Sequence, residues 1–313
     1  MSDRMVTVTL NPAIDHTVAV ANFQLDTVNR VSWEQADAGG KGVNVASFLA
    51  EAGATVSVTG VLGSENPELF ERLFAEKGLS DRFIRLPGKT RVNIKIVDQA
   101  QAQITDLNFP GLAVDESGLN QVQSAIAALA PSHDWFVFCG SLPAGCPTTA
   151  YRDLIAPLKA QGKTVILDTS GEALRQALPA QPDLIKPNIA ELEALLGKTL
   201  RDDAALMAAA HQLIDAGIRQ VVVSRGADGA LFVNQHQVIH AQATAPEIKS
   251  TVGAGDAMVA GTVLGLSQGQ AWVDCATLAT AFSLGALSQI GPRLPDFSEI
   301  EALRRTVELK HLT

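Results

Sequence analysis

The feature that most limits the possible folds is an alternation of short β-branched runs with longer helical patterns. MVTVTL (5–10) predicts a strand, and GVNVASFLAEAGA (42–54) predicts a helix that Gly53 closes. The same rhythm predicts strands at 55–63, 135–140, 164–170, 183–188 and 219–226, and helices at 67–78, 189–197 and 203–217. Such a repeat indicates an α/β protein whose mainly parallel sheet is covered by helices on both faces. Near-continuous apolar runs such as FVF and VVV fit a sheet buried on both sides.

Two stretches depart from this rhythm. HTVAVANFQLDTVNRVSWEQADA (16–38) and TRVNIKIVDQAQAQITDLNF (90–109) alternate like strands with turns between them. They predict a small β-layer outside the main sheet, which could cover a pocket as a lid or pair with another subunit through its edges. Because no Pro-, Gly- or Ser-rich linker is present, we expect one domain over residues 1–313, with lid segments near 12–36 and 88–110.

Composition narrows the possible partners. The net charge of −9 argues against general nucleic-acid binding, which needs a basic surface, but a locally positive pocket for a phosphorylated substrate remains compatible with it. No apolar run approaches the roughly 18 residues of a membrane-spanning helix, and the first residues predict a strand rather than a signal peptide. The cysteines (Cys139, Cys146 and Cys275) form no C-x-x-C pair, which is typical of a reducing compartment. We therefore expect a cytoplasmic protein without a membrane partner.

The stretch STVGAGDAMVAG (250–261) places Asp256 directly after Gly-Ala-Gly and before an apolar run. One alternative is that Asp256 caps a helix, since Asp is a favoured N-cap residue. The other is an anion site, because glycines let successive N–H groups converge on a phosphate at a helix N-terminus. An acidic residue would repel that phosphate unless it had a task of its own, such as taking a proton. The motif alone does not separate the two alternatives.

A second glycine-rich stretch, DAGGKGVNVASFLAEAG (37–53), surrounds Lys41 with glycines just before a predicted helix. It could be a flexible turn with a solvated lysine. Alternatively, it allows close approach of a polar ligand to the backbone, with Asn44 offering both a donor and an acceptor. The spacing matches neither the Walker A loop nor the dinucleotide fingerprint, so a dehydrogenase is disfavoured.

Two further stretches each leave a structural and a functional alternative open. In TLNPAID (9–15), Asp15 is either a turn-forming residue or a strand-end carboxylate that holds sugar hydroxyls. In KTRVNIKI (89–96), Arg91, Asn93 and Lys95 alternate, so all three belong to one face of a strand. That face is either solvated or turned toward a phosphate, which suits the planar fork of an arginine.

Three more stretches follow other predicted strands. GSLPAG (140–145) predicts a loop, and VVSRGADGALF (222–232) predicts a hairpin or a floor for a nucleotide base. In LIKPNIAELEALLG, Asn188 and Glu191 have the spacing of a capping box, and the alternative is a Mg²⁺ site completed by waters. Most of the singled-out groups lie just past strand ends, where open α/β sheets bind their ligands. The whole pattern therefore favours an enzyme with an anionic substrate.

Together these motifs resemble those of the ribokinase-like sugar kinases, also called the phosphofructokinase B family. GGKGVN resembles the first signature of that family, STVGAGDAMVAG its second and KPNIAE its K-P-N-x-x-E segment, collinearly from residue 7 to about residue 290. The resemblance implies a ribokinase-like αβα sandwich with a small β-sheet lid, and a homodimer formed through that lid. TLNPAID, TRVNIKI and GSLPAG resemble the phosphosugar-kinase branch, and ITDLNFPG most resembles the bacterial 1-phosphofructokinases.

The resemblance also implies a reaction, in which ATP with Mg²⁺ phosphorylates the C6 hydroxyl of fructose 1-phosphate. Asp256 would take the proton from that hydroxyl, and the backbone amides of Gly253, Ala254 and Gly255 would hold the transferring phosphoryl group. The implied substrate-binding residues are Asp15, Gly39, Gly40, Lys41, Asn44, Arg91 and Ser141. The implied nucleotide-binding residues are Lys186, Asn188, Ser224, Gly226, Gly229, Thr251, Gly253 and Gly255, with Glu191 and Asn188 near the metal.

Other functions remain as alternatives. Tagatose 6-phosphate or fructose 6-phosphate kinases would use the same catalytic residues, with only the position of the phosphate site changed. A non-catalytic sugar-phosphate sensor would be expected to have lost Asp256 or a glycine of the anion site, and this chain retains both.

Overall fold

The computed structural model describes residues 4–101, 103–245 and 248–312. The strands are β1 (Arg4–Thr9), β2 (Ala13–Ala19), β3 (Trp33–Gly39), β4 (Thr55–Gly63), β5 (Ser80–Asp81), β6 (Ile84–Leu86), β7 (Arg91–Asp98), β8 (Gln103–Leu107), β9 (Trp135–Cys139), β10 (Thr164–Asp168), β11 (Leu184–Ile185), β12 (Gln220–Ser224), β13 (Ala230–Asn234), β14 (Val238–Gln242) and β15 (Glu308–Leu312). The α-helices are α1 (Lys41–Glu51), α2 (Glu68–Lys77), α3 (Glu116–Leu129), α4 (Ala150–Ala160), α5 (Gly171–Ala177), α6 (Ile189–Leu196), α7 (Asp203–Asp215), α8 (Ala254–Ser267), α9 (Trp272–Leu287) and α10 (Phe297–Arg304).

The larger sheet follows the order β15-β14-β13-β12-β11-β10-β9-β1-β4-β5, with β6 also pairing with β4. Strands from β12 to β5 along this order run parallel, and β13, β14 and β15 add an antiparallel edge. The predicted mainly parallel sheet is therefore confirmed. Because parallel strands point the same way, their carboxyl ends meet along one edge, and the loops that leave this edge carry most of the predicted site residues.

Two apolar layers cover the sheet, as the buried strands predict. On one face, side chains from helices α1, α2, α8, α9 and α10 pack together, including Phe48, Phe70 and Phe282. On the other face, helices α3 to α7 contribute Val122, Ile155 and other apolar residues. This arrangement is the αβα sandwich that the sequence predicts.

The two stretches that depart from the rhythm form a second, four-stranded sheet of order β3-β2-β7-β8. Strand β2 pairs antiparallel with β3 and parallel with β7, and β7 pairs antiparallel with β8. Strand β3 ends at Gly39 and α1 begins at Lys41, so the single residue Gly40 connects the small sheet to a helix of the sandwich. The predicted small β-layer is thus confirmed as a structural element.

Most boundaries differ from the expected ones by one to three residues. The largest difference is the strand expected over 183–188, which is reduced to Leu184–Ile185 plus an isolated bridge between Asn188 and Ser224. Pro187 explains the interruption, since a proline has no N–H to donate to a neighbouring strand. None of the helices in the described ranges is long and apolar enough to cross a membrane.

Candidate active site

Asp168, the last residue of β10, lies at the centre of a buried charge cluster. Its Oδ2 is 3.1 Å from Nζ of Lys41, and its Oδ1 is 3.5 Å from Nζ of Lys186. Burial alone would raise the pKa of the Asp168 carboxyl, but the two lysines hold that pKa below its ordinary value. Burial likewise opposes the charge on Lys41, yet Asp168 and Asp256 keep the pKa of the Lys41 ammonium raised. Asp168 and Lys41 therefore stabilise each other's charged forms.

Asp256 lies beside this cluster, in the first turn of α8, and is only 7% exposed. Asn44 of α1 donates a hydrogen bond from Nδ2 to Asp256 Oδ2 over 2.8 Å. Burial raises the pKa of the Asp256 carboxyl to about 6, although the Lys41 charge opposes the shift. A carboxylate with such a pKa is ionised at neutral pH and is a stronger base than an ordinary aspartate, which suits proton abstraction.

The capping alternative for Asp256 is wrong. The N-cap of α8 is Gly253, in the left-handed region with φ of 78°, and Asp256 is the third residue of the helix. Glycine meets the backbone requirement at the cap, because a left-handed φ is costly for residues with a Cβ. Asp256 therefore makes no N-cap bond, and its side chain is available for chemistry.

The N-terminus of α8 is suited to binding an anion. The first N–H groups of a helix have no intrahelical acceptor, and here they belong to Gly-Ala-Gly at the start of the helix. A Cβ added to Gly255 would lie 3.5 Å from Lys186 Nζ, so the Lys186 ammonium is next to this terminus. Helix α1 begins close by at Lys41. Two helix N-termini and two ammonium groups thus face one region, which is the arrangement that phosphate binding needs.

Asp15 of β2 faces the same edge of the large sheet from the small one. Asn93 of β7, which is paired with Asp15 in register, donates from Nδ2 to Asp15 Oδ1 over 3.1 Å. Burial raises the pKa of Asp15, while the Asn93 hydrogen bond and the nearby Lys95 and Arg91 charges oppose the shift. Gly39 packs directly on this carboxylate, since an added Cβ would lie 2.2 Å from Asp15 Oδ2. Only glycine leaves room for Asp15 in its observed position.

Arg91 contacts backbone carbonyl oxygens in the structure. Its Nε, Nη1 and Nη2 donate to the oxygens of Pro12 at 3.2 Å, Phe109 at 2.8 Å and Asn11 at 2.9 Å. The Asn11 side chain in turn donates from Nδ2 to Ser141 Oγ over 3.1 Å. The structure therefore brings Arg91 and Ser141, which the sequence places far apart, into contact with the same residue, Asn11.

A cavity of about 200 Å³ lies between the small sheet and the segment before α8. It is lined by Asp15, Asn93, Ile94, Lys95, Asp106, Asn108 and Val252. Val252 directly precedes the Gly253 cap, so the cavity extends from Asp15 to the N-terminus of α8. Exposed Thr251 is in the same segment.

Asn188 and Glu191 form the complete capping box of α6. Asn188 Oδ1 accepts from the Glu191 N–H, and Glu191 Oε2 accepts from the Asn188 N–H, each at 2.8 Å. Asn188 also bridges to Ser224, which ends β12 ahead of the turn that holds Gly226 and Gly229. The structural alternative is thus confirmed, and Glu191 Oε1 is left outside the box. One carboxylate oxygen and an amide fit Mg²⁺, which binds few protein groups and keeps several waters.

Sequence reasoning missed some members of the site. Asp168 is the clearest, and the pattern TVILD, in which an acidic residue ends an apolar strand, could have indicated it. Asn11 and Asn108 also carry no strong pattern of their own. The hairpin at 222–232 and the single face shared by Arg91, Asn93 and Lys95 are confirmed.

Comparison with known proteins agrees with this geometry. The sequence pattern described as the pfkB family carbohydrate kinase matches residues 8–298, so the chain belongs to that family of ribokinase-like sugar kinases. A protein named 1-phosphofructokinase from Rhodobacter capsulatus is 52% identical over 313 residues, which cover 100% of this chain and 99% of the relative.

Solved structures agree in fold. Phosphofructokinase-2 from Escherichia coli in complex with potassium superimposes with a TM-score of 0.91 at 28% identity, covering 97% of this chain and 99% of that one. The same enzyme in complex with fructose-6-phosphate gives a TM-score of 0.88 at 28% identity, over 97% and 99% of the two chains.

Proposed function

We propose that this protein transfers a phosphoryl group from ATP to the C6 hydroxyl of fructose 1-phosphate, giving fructose 1,6-bisphosphate and ADP. The observation that carries the proposal is the position of Asp256: a buried carboxylate with a pKa of about 6, next to two ammonium groups and a glycine-rich helix N-terminus. The identity of 52% to a full-length relative named 1-phosphofructokinase supports the choice of substrate.

In the proposed mechanism, Asp256 accepts the proton of the acceptor hydroxyl as the oxygen attacks. The Asn44 hydrogen bond fixes the carboxylate, leaving its other oxygen for the hydroxyl. The N–H groups of Gly253, Ala254 and Gly255 stabilise negative charge on the transferring phosphoryl group. Lys186 adds a full positive charge at the same place. Phosphoryl transfer requires mainly such positioning and charge stabilisation, so no covalent intermediate is needed.

The sugar is proposed to bind in the cavity under the small sheet, which would act as a lid on a single domain. Asp15 accepts hydrogen bonds from sugar hydroxyls, and its contact with Gly39 places it next to α1. The backbone N–H groups directly after Gly39 and Gly40, together with the Asn44 side chain, provide further polar groups on the same side of the sugar site. Lys41, which is paired with Asp168, adds a positive charge to the sugar site. Arg91 and Ser141 lie at the end of the site near Asn11.

The nucleotide is proposed to lie along the loops after β11 and β12. Lys186 and Asn188 face its phosphates, and Ser224, Gly226, Gly229 and Thr251 border the nucleoside. Glu191 and Asn188 would hold Mg²⁺ through waters, and the ion would supply neutralisation of phosphate charge.

Free cysteines at Cys139, Cys146 and Cys275 support the expected cytoplasmic location.

The test measures ADP release by the purified protein with Mg-ATP and three acceptors, each over a full concentration range. We expect the highest kcat/KM with fructose 1-phosphate, with fructose 6-phosphate and tagatose 6-phosphate well below it. A preference for either 6-phosphate would retain the chemistry and overturn the substrate. No turnover with any of the three would overturn the enzyme assignment in favour of a sugar-phosphate sensor.

Fructose 6-phosphate is the second candidate because of one specific observation. The E. coli phosphofructokinase-2 that was solved with this sugar phosphate superimposes with a TM-score of 0.88. Its identity of 28% is well below the 52% to the R. capsulatus relative, which is why we place fructose 1-phosphate first.

A homodimer through the small sheet is also proposed. The sheet face opposite the cavity carries Val18, Val92, Ile96 and Leu107, of which Val92 and Leu107 are 38% and 46% exposed. An exposed apolar patch on this sheet face favours a second copy of the chain. Sedimentation velocity should show a dimer that Val92→Asp with Leu107→Asp dissociates, whereas Phe297→Asp on α10 leaves it intact. A monomeric wild type would refute the dimer.

A further inference from the structure

The cavity face of the small sheet carries its polar side chains in rows. Asp37 of β3, Asp15 of β2 and Asn93 of β7 are register partners and form the first row. Thr17, Lys95 and Asp106 are register partners in the second row, across β2, β7 and β8. Since strand side chains alternate between faces, these rows share one face. Lys95 is therefore a cation on the cavity face next to Asp15.

Lys95 and Arg91 differ in how many of their donors are free for a ligand. An arginine has five N–H donors, and Arg91 already directs three of its nitrogens at the carbonyl oxygens of Asn11, Pro12 and Phe109. The Lys95 ammonium has three donors, and its one carboxylate partner in the described part of the chain is Asp106. Its side chain is 18% exposed and that of Asp106 is 51% exposed, so the partner carboxylate can turn into solvent.

The charges around the cavity likewise favour Lys95 as a ligand of an anion. Two carboxylates, Asp15 and Asp106, line it. Lys95 opposes the raised pKa of Asp15 more strongly than Arg91 does, so its charge acts directly on the sugar-binding carboxylate. A phosphate dianion that enters this space would meet the repulsion of both carboxylates. A second cation removes that repulsion.

We propose that Lys95 is a specificity-determining residue whose ammonium binds the phosphate of the sugar substrate. To do so, the ammonium exchanges its ion pair with Asp106 for the phosphate, and Asp106 therefore competes with that phosphate. This inference rests on the proposed function and assigns the phosphate of the same substrate a second cationic contact. It also gives Asp106 the role of holding Lys95 in place and restraining its affinity for anions.

Two variants separate this role from that of a structural ion pair, because they should change the KM for fructose 1-phosphate in opposite directions. Lys95→Met removes a charged hydrogen bond and should raise this KM about ten- to a hundredfold. Asp106→Asn frees the ammonium and removes a nearby negative charge, so it should lower the same KM by about two- to fivefold. The KM for ATP should stay unchanged in both.

Lys310→Met, on edge strand β15, makes the same charge change far from the cavity and should leave every constant unchanged. Lys95→Arg should recover most of the affinity that Lys95→Met loses. If both cavity variants raise the KM for fructose 1-phosphate, the pair is structural and the inference is wrong. A raised KM for ATP alone, or no change in Lys95→Met while the wild type is active, also overturns it. A wild type inactive with fructose 1-phosphate refutes the proposed function and this inference with it.

Discussion

The two sheets of this molecule hold their charges in different ways. At the carboxyl edge of the large sheet, Asp168 is 1% exposed and lies between two lysines in a fixed cluster. On the small sheet, Lys95 pairs with the half-exposed Asp106, which water can solvate. Charges held in such ion pairs are suited to a reacting group, because little reorganisation is required as charge develops. Half-exposed pairs can exchange partners and are suited to a ligand that arrives and leaves.

The largest difference should come from removing the base at the buried cluster. Asp256→Asn keeps a carbonyl oxygen for the Asn44 hydrogen bond but loses the proton acceptor, so kcat should fall about 10²- to 10⁴-fold. Steady-state ADP release measures this, with circular dichroism to show that the fold is retained. An unchanged kcat would remove Asp256 from the chemistry.

The next effect concerns stability, and it compares the two sheets directly. Asp168→Ala leaves the buried Lys186 ammonium and the partly exposed Lys41 ammonium without their carboxylate and should lower the free energy of unfolding by about 3–5 kcal/mol. Asp106→Ala breaks a half-exposed pair and should cost at most about 1 kcal/mol. Urea unfolding measures both, and equal losses would show that the two regions do not differ as described.

The pH dependence should report the buried carboxylate of Asp256. Activity needs its ionised form, so kcat/KM should fall about tenfold per pH unit below the pKa of about 6 and level off above it. Stability should change with the opposite sign. Because this folded-state pKa lies above the ordinary 3.8, the folded protein holds the proton more tightly, and this group lowers the free energy of unfolding as pH rises from about 4 to about 6. Asp256→Asn should lose that pH dependence, as unfolding curves at several pH values would show.

The smallest effect is expected where the two regions meet. Arg293, in the loop after α9, donates from Nη2 to Asp37 Oδ1 of β3 over 2.7 Å and is 49% exposed. Exposed pairs contribute little, so Arg293→Met should change the free energy of unfolding by about 0.2–1 kcal/mol, and less at high salt. A loss above about 2 kcal/mol would mean that the small sheet depends on this contact.

The sequence was most informative where a pattern has a local cause. The alternation of strands and helices follows from burial periodicity. The glycines at 253 and 255 indicate the N-terminus of α8 from the sequence itself. The partners of Asp168 could not be predicted in this way, since Lys41 and Lys186 reach it from distant parts of the chain. The contacts of Arg91 with backbone carbonyls are likewise a result of tertiary packing. The three oxygens belong to two segments, Asn11 and Pro12 in one and Phe109 in the other.

The one-residue connection between β3 and α1 has a mechanical consequence. Gly40 has φ of 104°, and an added Cβ would lie 2.9 Å from Pro12 Cα, so this joint is both specific to glycine and tightly packed. The strand on one side of it places Gly39 against the Asp15 carboxylate. The helix on the other side supplies Lys41 to Asp168 and Asn44 to Asp256. Any tilt of the small sheet at this joint would therefore also displace Asn44, which holds Asp256, so Asp15 and Asp256 are mechanically coupled through one residue.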